Sequence, residues 1–339
     1  SQLANAYIMP ILFLLPSVIL FETGSAVFRG NGNTQTPFKL LLLVFAIKTV
    51  LTPILIFTAE LGMSGCSLAT MISYGAVFLI ELIILRKNEL IISLRKKFRE
   101  LLRETVYNLK VIKETVKIGI PISLEAFAFS IIYLFVSRFV ADFGTVGLAA
   151  LGIGHRAEAI PYQVGEAFAV TASIVVGQNI GAGNLSRAES GARRVLLISW
   201  IPMFFYSQVL FFFPAEIAGI FTTDTEVIEA AKVYNLLAAF SIFFAMSEQI
   251  FVGAFAGAGN SLPPLVIYLP LTALRIPLCA FLAPIYGMNG IWIAIFSTAI
   301  LKGILIAVWF NTGRWKRKKF ELKKEHQIEF IDENFPKIN

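Results

Sequence analysis

Apolar runs of about 20 residues recur along this chain, the length at which an α-helix crosses a hydrocarbon layer about 30 Å thick. ILFLLPSVILF, LLLLVFAIKTVLTPILIF, SIIYLFVSRFV and FSIFFAMSEQIFVGAFAGAG all belong to such runs. They are too long, and too rich in Leu and Phe, for the alternating strands of a membrane barrel. With 57% hydrophobic and only 15% charged residues, the chain needs something other than water to face. An all-α membrane protein is the expectation. Spans are placed at about 7–28, 37–58, 65–85, 118–141, 146–180, 194–213, 233–257, 263–284 and 288–311, which makes about nine.

The net charge of +7 is concentrated. Ten Lys and Arg lie in 86–117, and eight more follow Gly313. Basic clusters flanking spans are retained on the cytoplasmic side, and they also suit anionic membrane lipids. No aromatic–basic module accompanies them, so nucleic acid is not an expected partner. Connections after alternate spans carry Arg29, Lys39, Arg187, Arg193 and Arg194. The opposite connections hold Glu60, Asp142, Glu216, Asp224, Glu226 and Glu229, with Lys232 as the basic exception. Residues 86–117 and the C-terminus are therefore assigned to the cytoplasm, and the protein to a prokaryotic inner membrane. Cys66 and Cys279 read as small apolar residues, and His155 and His326 are too far apart in the pattern for a metal pair. No cofactor is expected.

FRGNGNTQTP at 28–37 returns as FAGAGNSLPP at 255–264. Phe28 matches Phe255, Gly30 matches Gly257, Gly32 matches Gly259, Asn33 matches Asn260 and Pro37 matches Pro264, all at an offset of 227. Tyr7 with Tyr234 and Lys48 with Arg275 keep the same register. After a shift of two, GMSG (62–65) matches GMNG (287–290). Such a register means repeated architecture, and an even number of spans per period makes the repeat parallel. The expected organisation is 1–85 as the remainder of an N-terminal lobe with three helices, 86–117 as a basic linker, 118–312 as a six-helix C-terminal lobe and 313–339 as a basic tail. By the same symmetry, about 110 residues, or three spans, are expected before Ser1, giving a pseudo-twofold bundle of twelve.

The segment ALGIGHRAEAIPYQVGEAFAVTASIVVGQNIGAGNLSRAESGARR (150–194) resembles the second-lobe signature of multidrug and toxic compound extrusion (MATE) transporters, through Val176-Gly177-Gln178-Asn179, Gly181-Ala182-Gly183 and Arg187-Ala188. FRGNGNTQTP resembles the family's turn after the fourth span, and RIPLCAFLAPIYGMNGIWIA its eleventh and twelfth spans. The resemblance runs over about residues 4–312. It implies a cation-coupled antiporter of two six-helix lobes that exports organic cations or other drug-like compounds by alternating access, in exchange for Na⁺ or H⁺. A monomer is expected, and no enzyme activity.

The glycine motifs read mainly as backbone devices. Gly181 and Gly183 suit the left-handed end of a helix, and Ser186-x-x-Glu189 reads as a capping box for the next. Gly30 and Gly32 close another helix, with Thr34 or Thr36 capping its successor and Pro37 in the first turn.

Charges inside spans are the candidates for transport chemistry. Glu125 lies about one turn past Pro121, in the span where family members often carry an acid, and is the candidate for transient Na⁺ or substrate binding. Its bland alternative is a pairing with Arg138 or Arg156. Glu248 sits in the span matching the family's tenth, and Glu22 in a nearly equivalent place in the first lobe, where packing on Lys48 is the alternative. His155 could relay protons, whereas Arg156 with Glu158 reads as a structural pair. Lys48 and Arg275 are expected to meet carboxylates or carbonyls. Phe127, Phe129, Tyr133, Tyr162 and Phe168 could hold an organic cation, or face lipid. A second function from the same superfamily, a flippase for lipid-linked saccharides, would use Lys48, Arg275 and Arg29 on a pyrophosphate. A prenyl transferase would need clustered Asp for Mg²⁺, which the spans lack.

Overall fold

The computed structural model describes residues 2–87 and 109–317, with side chains for 15–85, 113 and 116–315. Most of the basic stretch 86–117 and of the tail from 318 lies outside the described residues. The described chain is helical, with no strand, and divides into two compact units, Ser1–Lys113 and Glu114–Asn339. Eight helices among the described residues are long and apolar enough to cross a membrane. The ninth predicted span, 7–28, falls in helix α1 (Gln2–Gly30), whose side chains are described only from Leu15.

In the first unit, α1 packs on α3 (Gly62–Lys87), and α2 (Gln35–Pro53) also leans on α3. Phe21, Leu40, Val44 and Val77 form their shared core. Pro53 has no N–H to continue the ladder, and the helix beyond it widens into a π turn over Ile54–Thr58.

The second unit contains α4 (Leu109–Ala141), α5 (Gly144–Gly181), α6 (Leu185–Phe212), a short α7 (Pro214–Gly219) and α8 (Thr225–Gly257). It continues with α9 (Leu262–Ala273), α10 (Arg275–Tyr286) and α11 (Met288–Asn311). Helix α8 is the hub and packs on α5, α11 and α6. Its glycines permit this: a Cβ on Gly253 would lie 2.1 Å from the Ala169 carbonyl oxygen, and one on Gly257 would lie 2.2 Å from that of Ser173. Without hydrocarbon-excluded water to drive helices together, such close backbone contact supplies the packing energy. The single span predicted at 263–284 is two helices end to end. Pro277 cannot donate to the Ala273 carbonyl, so α9 stops there and the proline falls in the first turn of α10, where a missing N–H costs little.

The repeat is visible in hydrogen bonds. Gly32 N–H donates to the Arg29 carbonyl (2.9 Å) and Asn33 N–H to that of Phe28 (3.0 Å); 227 positions on, Gly259 donates to Ala256 (2.9 Å) and Asn260 to Phe255 (2.9 Å). Both are Schellman caps, with φ of 80° at Gly32 and 67° at Gly259. A third such cap closes α5 at Gly183, one of the two glycines expected to be left-handed there: Gly183 (φ 74°) donates to Ile180 (2.9 Å) and Asn184 to Asn179 (2.8 Å). The GMSG and GMNG turns also agree, because a Cβ on Gly65 would strike the Leu55 carbonyl oxygen at 2.7 Å and one on Gly290 that of Leu282 at 2.2 Å.

Gly30, Gly181 and Gly257 are not left-handed; the first two are the last helical residues of α1 and α5, and Gly257 is a packing residue facing Gly177 and Ser173. Helix α6 is opened by Asn184, whose side chain accepts from Arg187 N–H (3.0 Å), rather than by Ser186. Likewise Asn33, not a threonine, caps α2 by accepting from Thr36 N–H (3.1 Å), with Pro37 buried in the first turn. Asn179 folds back on its own helix, donating to the Val175 carbonyl (2.7 Å).

Candidate functional site

A seam of polar side chains runs through the apolar second unit. Its centre is the ion pair between Lys302 of α11 and Glu248 of α8, at 2.8 Å with only 6% and 14% of the two side chains exposed. The helices are held close enough for this by Gly303, where a Cβ would lie 2.2 Å from the Phe244 carbonyl oxygen, one turn before Glu248. The Lys302 ammonium also stands 4.1 Å from the centre of the Tyr268 ring, on α9. Buried charges persist only when paired and further satisfied, and here a carboxylate and an aromatic face share one ammonium.

Glu125 of α4 interacts electrostatically with both Glu248 and Lys302. Its Oε1 is buried and has no hydrogen-bond partner among the described residues. Arg275, 5% exposed, opens α10; its Nε donates to the Thr298 hydroxyl (2.8 Å), and its charge reaches Lys302, Glu158 and His155. Glu158 accepts from the Tyr234 hydroxyl at 2.5 Å, and Tyr133 is hydrogen-bonded to His155. Tyr234 is enclosed by Trp292 and Phe296, with ring centroids 5.1 and 4.8 Å away. The seam thus strings three acids, two cations, a histidine and several hydroxyls through an otherwise apolar bundle.

Several pairings differ from the sequence expectation. Arg156 lies 5.6 Å from the Phe221 ring centre while Glu158 bonds Tyr234, so the two are not a pair. They are two positions apart on one helix and point different ways. Glu22 pairs with Arg29 at 3.3 Å, seven residues along α1, rather than with Lys48, and both side chains are partly exposed. Of the aromatics, Phe127 and Tyr162 are 65% and 61% exposed, Tyr162 lies within electrostatic reach of Glu248 and Tyr268, and Phe129 meets Tyr133 as a tilted ring pair at 5.2 Å. The residues brought together are Glu125, Glu248, His155 and Tyr133, all in the second unit; Glu22 belongs to the first.

Lys302, Tyr268 and Glu81 were not singled out in the sequence. Lys302 and Glu81 each interrupt an apolar run, in AILKGILIAV and VFLIELIIL, and an ionisable residue at that depth is a signal in itself. Glu81 of α3 is fully buried; its Oε1 accepts from the Ser25 hydroxyl (3.0 Å), and its Oε2 has no hydrogen-bond partner among the described residues. Gly24 makes room for it, since a Cβ there would lie 2.7 Å from the carboxyl carbon. No group of three or more metal-ligating side chains occurs among the described residues.

Fold and seam together define an all-helical integral membrane protein with buried, mutually paired charges inside its spans. The MatE family model matches residues 121–281. The chain is 25% identical over 323 residues to the probable multidrug resistance protein NorM of Thermotoga maritima, covering 93% of this chain and 68% of that one. It is 23% identical over 299 residues to the multidrug export protein MepA of Staphylococcus aureus, covering 88% and 65%. Among solved structures, a MOP superfamily transporter from Pyrococcus furiosus, with a binding pocket described as of reverse polarity, matches with a TM-score of 0.83 at 18% identity, covering 93% and 71%. The Vibrio cholerae MATE transporter VcmN in its bent form matches at 0.74 and 20%, covering 91% and 77%. The chain thus carries a MatE match over its second unit and resembles multidrug transporters along most of its length, spanning about two thirds of the length of these relatives.

Proposed function

We propose that the chain works in secondary active efflux, exporting organic cations and other drug-like compounds in exchange for Na⁺ or H⁺ by alternating access in a cytoplasmic membrane. The observation that carries this reading is Glu125: a buried carboxylate oxygen with no hydrogen-bond partner among the described residues, within electrostatic reach of the Glu248–Lys302 pair. An orphaned acid inside a span is costly unless something visits it, and a proton or a Na⁺ ion is the smallest visitor that removes the cost. Relatives named for multidrug resistance and export support the substrate class. The flippase alternative is less well supported, because Arg29 is paired with Glu22 and Arg275 already donates to Thr298.

The test is dye efflux from everted vesicles under imposed Na⁺ or proton gradients. Glu125→Gln is expected to lower gradient-driven efflux at least about tenfold, a loss typical of removing a coupling group rather than a packing group, with the thermal midpoint held. Undiminished efflux in that variant removes Glu125 from the coupling step.

A further inference from the structure

An ammonium that meets a carboxylate on one side and an aromatic face on the other is in the pose by which proteins hold organic cations. In this chain that place is taken by the protein itself: Lys302 is 2.8 Å from Glu248 and 4.1 Å from the Tyr268 ring centre. We propose that Lys302 is a tethered occupant of the cation site, and that an alkylammonium or quaternary ammonium compound binds by displacing it from Glu248 and Tyr268. The ligand class rests on the export reading above; the displacement itself does not.

Three features support exchange rather than a permanent structural pair. Lysine carries its charge on a flexible four-carbon stem, so the ammonium can leave while the backbone stays. Its neighbour Gly303 fixes α11 against α8, so the stem moves against a fixed wall. Glu125 provides the second berth: it interacts with Lys302, and its Oε1 has no hydrogen-bond partner among the described residues, so the displaced charge is not stranded. A tethered competitor sits at an effective concentration of the order of millimolar, which weakens every free cation by a fixed factor and excludes those that cannot fill both the carboxylate and the ring.

The probe is tetramethylammonium, which cannot react with acylating reagents and offers charge and a methyl surface to Tyr268. With the purified chain in detergent, Lys302→Met is expected to bind it at least about tenfold more tightly than the unchanged protein, because the competitor is gone. Lys302→Met/Glu248→Gln is expected to lose that gain. In the unchanged protein, saturating tetramethylammonium is expected to raise acetylation of Lys302 by acetic anhydride severalfold over an equal ionic strength of NaCl, read by mass spectrometry. Equal affinity in the folded Lys302→Met variant overturns the proposal, as does acetylation that tetramethylammonium leaves unmoved. If Lys302→Met does not fold, the acetylation arm alone decides. Failed efflux with tightened binding sinks the export reading and leaves the tethered occupant standing; intact efflux with unmoved acetylation does the opposite.

Discussion

Glu248 and Lys302 stand 54 positions apart, and each makes the other tolerable at its depth. Removing one partner of such a pair leaves a bare charge, at a cost of about 3–5 kcal/mol, whereas removing both is often neutral. Glu248→Gln alone is therefore expected to lower the thermal midpoint far more than Glu248→Gln/Lys302→Met. Equal losses in the single and double variants would show that the pair contributes through packing instead. The acids at 125 and 248 were legible in the sequence because carboxylates within apolar runs are conspicuous. Their partners were not, since which cation meets which acid depends on helix rotation and on approaches such as Gly303 to Phe244. Glu158 illustrates the limit: adjacent charges in sequence suggested Arg156, but helical geometry turned it toward Tyr234, 76 positions away.

Helix ends form the next level. The two Schellman caps at an offset of 227 were readable from FRGNGN and FAGAGN, and the third was readable as a helix end at Gly181 and Gly183, although the sequence did not separate the two glycines. Gly183 has a positive φ, and Gly181, with open space where its Cβ would lie, does not. The two glycines should part on substitution. Gly183→Ala is expected to destabilise by about 1–2 kcal/mol, the cost of a left-handed alanine. Gly181→Ala is expected to be neutral or to stabilise by up to about 1 kcal/mol, because alanine loses less backbone entropy. Matched thermal or denaturant unfolding curves decide this, and a larger loss at 181 than at 183 contradicts the assignment. Broken spans escaped the sequence reading for a related reason. Apolarity continues unbroken through Leu274, and only the Pro277 ring, four residues beyond Ala273, reveals that α9 and α10 are separate.

For the molecule as a whole, charge sets orientation. The turn between α5 and α6 is followed by Arg187, Arg193 and Arg194, while the connection from α7 to α8 carries Glu216, Asp224, Glu226 and Glu229 around Lys232. Since α6 is 28 residues long, the two connections lie at opposite ends of a span. In a background with Cys66→Ser and Cys279→Ser, a membrane-impermeant maleimide added to intact cells is expected to label Thr223→Cys and spare Ser186→Cys. The reverse pattern would invert the topology. Apolar run length made the spans the most legible feature of the three levels, because a bilayer imposes a length on any helix that crosses it. The arrangement of polar groups within the bundle is set by which helix faces meet, and no one-dimensional pattern encodes that fully.

Trp292 is fully buried with its ring against Tyr234, its Nε1 has no hydrogen-bond partner among the described residues, and the Glu158 carboxylate is one tyrosine away. An indole held in so dry a setting emits at short wavelengths, and the energy of its excited state shifts with any nearby field. The protein thus carries a built-in voltmeter for its own seam. Rearrangements of charge at Arg275 and Glu158 should register as a change of colour, without any label, and Trp292→Phe identifies the part of the spectrum that reports them.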